Sequence, residues 1–304
     1  MTFLEAAKLT NDEAREYMEK LRWPNGPVCP HCESSNHTRL NGSKHRPGTI
    51  QCNECREQYT VTVNTVMESS HLPLAKWVLG FHLMCSSKKG ISALQLQREL
   101  GIGSYRTAWF MEHRIRWAMK VQFGQEKLKG VVEVDETYIG GKPRYKGVTK
   151  RGRGSEKKTP VVALVERDGE VRARPVESVD SKTLKAEIRK QVDPSATIMT
   201  DELSSYSGIG TEFKGGHHVV KHSEGEYVRK SKGLKVHNNT DESFFALIKR
   251  GHYGVYHQMS KRHLHRYADE FSFRWNARSV SDGERREKAI RQAGGKRLMY
   301  LTPA

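Results

Sequence analysis

Apolar residues recur along the chain with two different periods, and the change between them divides the sequence. In residues 2–22 and 74–119 they lie mostly three and four positions apart, which predicts helices. After Gly130 they alternate with polar residues, first over residues 131–140, which predicts strands. The chain therefore predicts a helical first part and a sheet-containing second part.

The second part predicts a mixed sheet with helices, an α/β arrangement. Asp168 and Gly169 mark the turn of a hairpin, and Thr240 is the expected cap of a late helix. In chain order the elements are strand, hairpin, helix, strand, strand and helix. Their ranges are 131–140, 160–167, 170–178, 181–192, 196–201, 217–221 and 240–250.

Two C-x-x-C pairs interrupt the first part. Cys29 and Cys32 form one pair, and Cys52 and Cys55 form the other about 20 residues later. Four thiolates at this spacing close a tetrahedron around one Zn²⁺ ion, as in a zinc ribbon. Redox-active pairs or unligated thiols are the alternative. Because zinc ribbons hold DNA, RNA or protein, the pattern predicts a metal but no particular function.

A helix-turn-helix pattern follows the cysteines. Residues 91–100 predict a short helix capped by Ser92, residues 101–103 predict a turn, and Ser104 opens a second, basic helix. The first residues of such a second helix contact base edges in the major groove of DNA. A plain helical hairpin is the alternative. The candidate DNA-binding residues of this module are Tyr105, Arg106 and Arg114.

The charge balance favours a polyanionic partner. The 304 residues include 52 Lys and Arg against 35 Asp and Glu, a formal net charge of +17. This excess predicts binding to nucleic acid, with DNA the first candidate, whereas a merely solubilising surface is the alternative. Much of it lies in a Gly-rich segment after residue 140, whose candidate phosphate contacts are Lys142, Arg144, Arg151 and Arg153.

Three acids fall at distinctive points of the predicted elements. Asp135 lies in the first strand, Asp201 ends a later strand, and Glu242 lies on the late helix. This suits a ribonuclease-H-like catalytic domain, in which two strand acids lie side by side and a helix adds a third. Such carboxylates hold paired Mg²⁺ or Mn²⁺ ions for phosphodiester cleavage. Any one of them is more often a solvated acid, so the prediction depends on all three.

Three segments carry a resemblance to a known family: VEVDETYIGGK, IMTDELSSY and HNNTDESFFALIKRGHYGVYHQMSKRHLHRYADEFSFRWNAR. With the zinc ribbon ahead of them, they resemble the ISXO2-like DDE transposases of the IS1595 family of bacterial insertion sequences. The resemblance covers roughly residues 10–280, and the last segment is its most specific part.

The resemblance implies which residues act. It implies a triad of Asp135, Asp201 and Glu242, and a basic residue seven positions after the glutamate, which here is Lys249. On a helix, that spacing puts Lys249 on the same face as Glu242, near substrate phosphate, and Arg250 is a further DNA-binding candidate. Some family members carry Asn as the third ligand. The third ligand therefore stays open between Glu242 and a nearby Asn or Asp, such as Asn238 or Asn239.

The resemblance also implies a reaction. A transposase binds inverted-repeat ends, cleaves DNA to free 3′-OH groups, and joins them to target DNA by two-metal-ion phosphoryl transfer. Because two ends must be joined, a homodimer or higher homo-oligomer is implied. A zinc-ribbon and helix-turn-helix regulator without catalysis, and a ribonuclease-H-like nuclease, are the alternatives.

The predicted organisation is an N-terminal helix (1–27), a zinc ribbon (28–70), a helical DNA-binding module (71–125), a catalytic domain (126–280) and a loose basic tail (281–304). No apolar run reaches the roughly 18–20 residues that span a bilayer, and the N-terminus carries no apolar signal segment. We therefore expect a bacterial cytoplasmic protein, without a membrane partner, that associates with the nucleoid when active.

Overall fold

The computed structural model describes residues 1–120, 126–141, 158–231 and 233–300. Two compact units divide the chain, one of residues 1–119 and 279–304 and one of residues 120–278. The predicted phosphate contacts Lys142, Arg144, Arg151 and Arg153 lie outside the described residues. Among the residues that are described, no helix combines the length and apolar character that a membrane crossing requires.

Two short helices begin the first unit, where the sequence predicted one over residues 2–22. Helix α1 (Phe3–Ala7) and helix α2 (Asn11–Arg22) each start with a capping box. The hydroxyls of Thr2 and Thr10 accept the backbone N–H three positions on, and the glutamate there reaches back to the threonine. A second cap at Thr10 starts a second helix, which explains the break.

The cysteines lie in and around a small antiparallel sheet. Its strands are β1 (His37–Arg39), β2 (Ile50–Cys52) and β3 (Gln58–Tyr59), in the order β1-β2-β3. Ile50 and Tyr59 are register partners and are both buried, so the sheet has a small apolar centre.

Three helices follow as predicted. They are α3 (Leu74–Ser86), α4 (Ala93–Glu99) and α5 (Tyr105–Met119). The predicted cap of α4 is confirmed, because the Ser92 hydroxyl accepts from the backbone N–H of Gln95 at 3.2 Å. Large buried side chains, among them Trp77, Phe81 and Met111, form the core of this helical module.

The second unit contains the predicted mixed sheet. Its five strands are β4 (Val131–Gly140), β5 (Lys158–Glu166), β6 (Val171–Pro175), β7 (Thr197–Thr200) and β8 (His217–Val219). They lie in the order β6-β5-β4-β7-β8. Strands β4, β5 and β6 pair antiparallel, whereas β7 pairs parallel with β4 and with β8. A separate hairpin, β9 (Arg229–Ser231) and β10 (Leu234–Val236), follows the sheet.

Helices cover both faces of the five-stranded sheet. On one face, Leu184 of α6 (Ser181–Gln191) packs in a cluster with Val132 and Val134. On the other, residues of α7 (Asn239–Gly251) and α8 (Leu264–Asn276), such as Phe244 and Phe271, pack against β5. Because side chains alternate along a strand, Glu133 and Asp135 project to the side of α7 and α8.

The C-terminal segment differs from the loose tail that the sequence predicted. Residues Asp282–Arg291 form helix α9, which packs against α2, α3 and α5 in the first unit. A capping box joins Ser281 and Glu284 at its start. The buried Arg286 donates to the hydroxyl of Tyr17 at 2.9 Å. The high charge of this segment suggested an exposed tail, although the segment forms a short helix with one buried face.

Gly215 provides a test of packing beside strand β7. A Cβ atom at this position would lie 2.7 Å from the Cα of Thr197 and 2.8 Å from the carbonyl oxygen of Ala196. Because these neighbours are backbone, Gly215→Ala is expected to lower the free energy of unfolding by about 1–3 kcal/mol. Urea unfolding measures the change. Gly254→Ala is the control, since nothing lies within 4 Å of its Cβ; equal stability of the two variants would contradict the prediction.

Candidate active site and zinc site

Strand pairing brings Asp135 and Asp201 together. Val134 of β4 and Thr200 of β7 are parallel register partners, and the two aspartates come next along each strand. The Asn238 side chain, oriented to satisfy both ends of its amide, accepts from the backbone N–H of Asp201 at 3.0 Å and donates to the carbonyl of His237 at 3.1 Å. Asp135 in β4 and Asp201, which directly follows the end of β7, therefore lie side by side, next to the residues that lead into α7.

Glu133 fastens the start of α7 to the sheet. Its Oε2 atom accepts from the backbone N–H groups of Thr240 at 2.9 Å and of Asp241 at 3.3 Å. Its Oε1 atom accepts from the Thr240 hydroxyl at 3.0 Å. The expectation that Thr240 caps α7 is therefore wrong: N-cap Asn238 makes no side-chain cap bond, and a carboxylate from β4 satisfies the helix terminus instead.

Arg167 holds Glu133 in place. We call Arg167, Glu133 and the hydrogen bonds from Glu133 to the start of α7 the Glu133 anchor. Its Nε atom donates to Glu133 at 2.6 Å, and its two terminal nitrogens donate to the carbonyls of Lys235 at 2.6 Å and His237 at 2.9 Å. The His237 ring also lies 3.3 Å from Glu133. Glu133 is fully buried, so this ion pair holds the approach to α7 against the sheet at a site shielded from water.

The first turn of α7 carries two acids in contrasting environments. The Glu242 side chain is 56% exposed and lies 3.9 Å from the imidazole of His222. Asp241 is fully buried, and neither of its carboxylate oxygens has a hydrogen-bond partner among the residues that the structure describes. The sequence analysis did not single out Asp241. The helical period would have found it, since Asp241 shares a face with Phe244 and Ile248.

Like charges crowd around Asp135. Burial raises the pKa of Asp135 to about 7, and the charges of Glu136, Asp201 and Glu242 add to the effect. Glu136 projects to the other face, as expected, where it accepts from the Tyr206 hydroxyl at 2.9 Å. A cation would relieve this repulsion. Within the described residues, however, no three acids bring their oxygen atoms within 4.8 Å of one another. Magnesium fits such a looser set because it retains several waters.

The candidate DNA-contacting residues differ in how exposed their side chains are. Lys249 and Arg250 are exposed on α7, and Tyr105 and Arg106 are exposed at the start of α5. Arg114 is buried, donates to the carbonyl of Glu68 at 3.0 Å and lies over the Phe110 ring. Its role is therefore in packing, which corrects its assignment as a DNA contact.

The four predicted zinc ligands converge. The sulfur atoms of Cys29, Cys32, Cys52 and Cys55 all lie within 4.8 Å of one another. Cys29 and Cys55 are 3.6 Å apart, and Cys32 and Cys52 are 3.5 Å apart. Zn–S bonds of about 2.3 Å imply sulfur separations of about 3.8 Å in a tetrahedron, so the cluster fits Zn²⁺.

The two C-x-x-C turns have matching backbones. The N–H of Glu33 donates to the Cys29 carbonyl at 2.9 Å, and that of Arg56 donates to the Cys52 carbonyl at 3.1 Å. Glu33 and Arg56 have φ values of 62° and 63°. Backbone N–H groups, first that of Cys55, lower the pKa of Cys52 to about 7, which favours the thiolate that zinc requires.

Two domain families match the chain. The ISXO2-like transposase domain matches residues 127–276, and the transposase zinc-ribbon domain matches residues 9–58. Together they span the acidic residues and the four cysteines. The chain belongs to the IS1595 family of transposases.

A similar protein comes from another mobile element. An uncharacterized protein in transposable element ISH50 of Halobacterium salinarum is 29% identical to this transposase over 276 residues, which are 86% of this chain and 89% of that protein. The family identified from sequence is therefore confirmed, together with its zinc ribbon and its zinc. The family assignment also makes this transposase a DNA-processing protein.

The Glu133 anchor makes a prediction about α7. Glu133→Ala leaves Arg167 and the helix terminus without their buried partner, so we expect a loss of about 3–5 kcal/mol in the free energy of unfolding. Hydrogen exchange at the amides of Thr240 and Asp241 should accelerate, because Glu133 accepts from both. Glu170→Ala, which removes an exposed acid, serves as the control in urea unfolding; matching losses for the two variants would refute the anchor.

The raised pKa of Asp135 makes a prediction about pH. An unfolded aspartate ionises near pH 4, so between that pH and about 7 the native state holds a proton that the unfolded state has lost. Stability without added Mg²⁺ or Mn²⁺ must therefore fall as the pH rises through this window. Relative to Asp135→Asn, wild type should lose up to about 2 kcal/mol between pH 5.5 and 8. Parallel pH profiles of unfolding for the two proteins would be inconsistent with this repulsion.

Proposed function

We propose that this transposase cleaves and joins DNA at a DDE site formed by Asp135, Asp201 and Glu242, with Mg²⁺ or Mn²⁺ as the metal. The observation that carries the proposal is the parallel register of β4 and β7, which makes the two aspartates neighbours. The anchoring of α7 to β4 by Glu133 adds the third acid.

A ribonuclease-H-like fold for the second unit is part of the proposal. Its support is the strand order. The first three strands of the unit form an antiparallel meander, and the fourth and fifth add parallel to the first on its other side. Helices on both faces complete the resemblance to that fold.

Each acid then has a role in phosphodiester chemistry. When bound, a pair of divalent ions supplies charge neutralisation, an activated nucleophile and a stabilised leaving oxygen. Asp135, Asp201 and Glu242 would hold these ions. Lys249 lies seven residues beyond Glu242 on the exposed side of α7, a position suited to contact a substrate phosphate.

The same site would serve both steps of transposition. Hydrolysis uses water as the nucleophile and frees a 3′-OH at a transposon end. Strand transfer then uses that hydroxyl to attack a target phosphodiester, and the target 3′ oxygen leaves. Each step exchanges one P–O bond for another, so neither requires an external energy source.

DNA recognition is assigned to the first unit. We propose that α4, the turn after it and α5 form a helix-turn-helix within the 71–125 module, with Tyr105 and Arg106 at base edges of the inverted repeats. Their exposure at the N-terminal end of α5 supports this role. The zinc ribbon (28–70) would assist. Because two ends are joined, the active species is proposed to be a homodimer or larger assembly.

The decisive experiment uses DNA that carries the element's inverted repeat. The zinc-loaded chain should give 3′-OH cleavage products and strand-transfer products with Mg²⁺ or Mn²⁺, and Asp135→Ala and Asp201→Ala should lower both by at least about a thousandfold. Lys249→Ala should weaken activity less, since it removes a phosphate contact and no metal ligand.

Two other outcomes would point to other functions. Cleavage without strand transfer would favour a nuclease on the same fold. DNA binding with no metal-dependent products, unchanged in both aspartate variants, would favour a regulator built from the zinc ribbon and helical module.

A further inference from the structure

Asp241 is a buried acid of the second unit that the proposed triad does not use. Its side chain is fully buried in the first turn of α7. Neither carboxylate oxygen accepts a hydrogen bond from any group in the described ranges of the chain. A buried carboxylate without a donor is strongly unfavourable, and native proteins resolve such cases with a counter-charge, a bound ion or neutralisation of the group.

The surroundings of Asp241 supply more negative charge than positive. Asp135, Glu133 and Glu242 all act on it as like charges, and Arg167 is the cation that opposes them. Every nitrogen of that guanidinium already donates elsewhere, to the Glu133 carboxylate, to the carbonyls of Lys235 and His237 and to the Met199 sulfur. All three nitrogens are thus engaged by other groups, and Asp241 accepts a hydrogen bond from none of them.

The placement of Asp241 directs it toward Asp135. Its backbone N–H is held by Glu133, which is two residues before Asp135 on the same face of β4. Asp135 is the largest of the charged influences on Asp241. Glu242, the next residue along α7, lies about 100° further round the helix and is largely exposed. The two acids of this turn therefore approach the site from different sides.

We propose that Asp241 is a fourth carboxylate ligand of the divalent-metal site, sharing with Asp135 a metal on the buried side of α7. This inference builds on the proposed DDE function. A cation in contact with both oxygens of the pair supplies the counter-charge that the described protein groups do not. Glu242 then serves the solvent side of the same centre, where the substrate enters.

The test is metal binding, measured without DNA. Mn²⁺ is titrated into the full zinc-loaded chain, and free Mn²⁺ is quantified by electron paramagnetic resonance. Asp241→Asn and the similarly sized Asp241→Leu should weaken Mn²⁺ binding by about tenfold or more. Both remove a buried carboxyl group that has no hydrogen-bond donor among the described residues, so both should be at least as stable as wild type before Mn²⁺ is added. Two substitutions of different polarity keep the test valid if one of them misfolds.

Matched variants separate the possible failures. Asp168→Asn makes the same chemical change in the hairpin turn, where Asn tolerates the φ of 60°, and should bind Mn²⁺ as wild type does. If Asp135→Asn weakens binding while both Asp241 variants bind normally, the fourth ligand is refuted and the proposed function stands. If Asp135→Asn also binds normally, the proposed metal site itself is refuted.

Discussion

The carboxylate of Glu133 is the interaction on which the geometry of the second unit depends. An α-helix begins with backbone N–H groups that need acceptors, and α7 has no side-chain cap of its own. Glu133 supplies that acceptor from the middle of the sheet and is held there by Arg167. The acids of α7 are therefore positioned relative to β4 by a hydrogen-bonded ion pair, and apolar packing at Phe244 sets how the helix lies on the sheet.

The same arrangement concentrates negative charge in a strongly basic chain. Glu133, Asp135, Asp201 and Asp241 lie on or against one face of the sheet, and Arg167 donates to the first of them and to two backbone carbonyls. The chain as a whole carries +17. Basic residues over the rest of the surface attract a polyanion, while the acidic centre would repel it unless cations are bound. Metal binding and DNA binding are thereby expected to reinforce each other.

Local sequence patterns predicted the five sheet strands, α6 and α7, and singled out Asp135 and Asp201, because strand alternation and helix period depend on neighbouring residues. The hairpin of β9 and β10 was not predicted. The buried position of Asp241 was also available from the period that Phe244 and Ile248 define. The Glu133 anchor could not be predicted from such local patterns, because it joins residues 107 positions apart and depends on strand pairing. Helix α9 was missed for a different reason: its charge density matched that of a solvated tail, although Ser281 and Glu284 form a capping signature.

Residues that are adjacent in sequence have different roles in this site because their side chains point in different directions. Asp135 and Glu136 are adjacent, yet one faces α7 and the other reaches Tyr206 across the sheet. Glu133 and Asp135 share a face, but Glu133 accepts from α7 and pairs with Arg167, whereas Asp135 has no cationic partner within the described part of the chain. An acid whose charge is satisfied by protein groups stabilises the fold, whereas one left unsatisfied on the same face is available to a metal. By this criterion Asp241 belongs with Asp135 and not with Glu133.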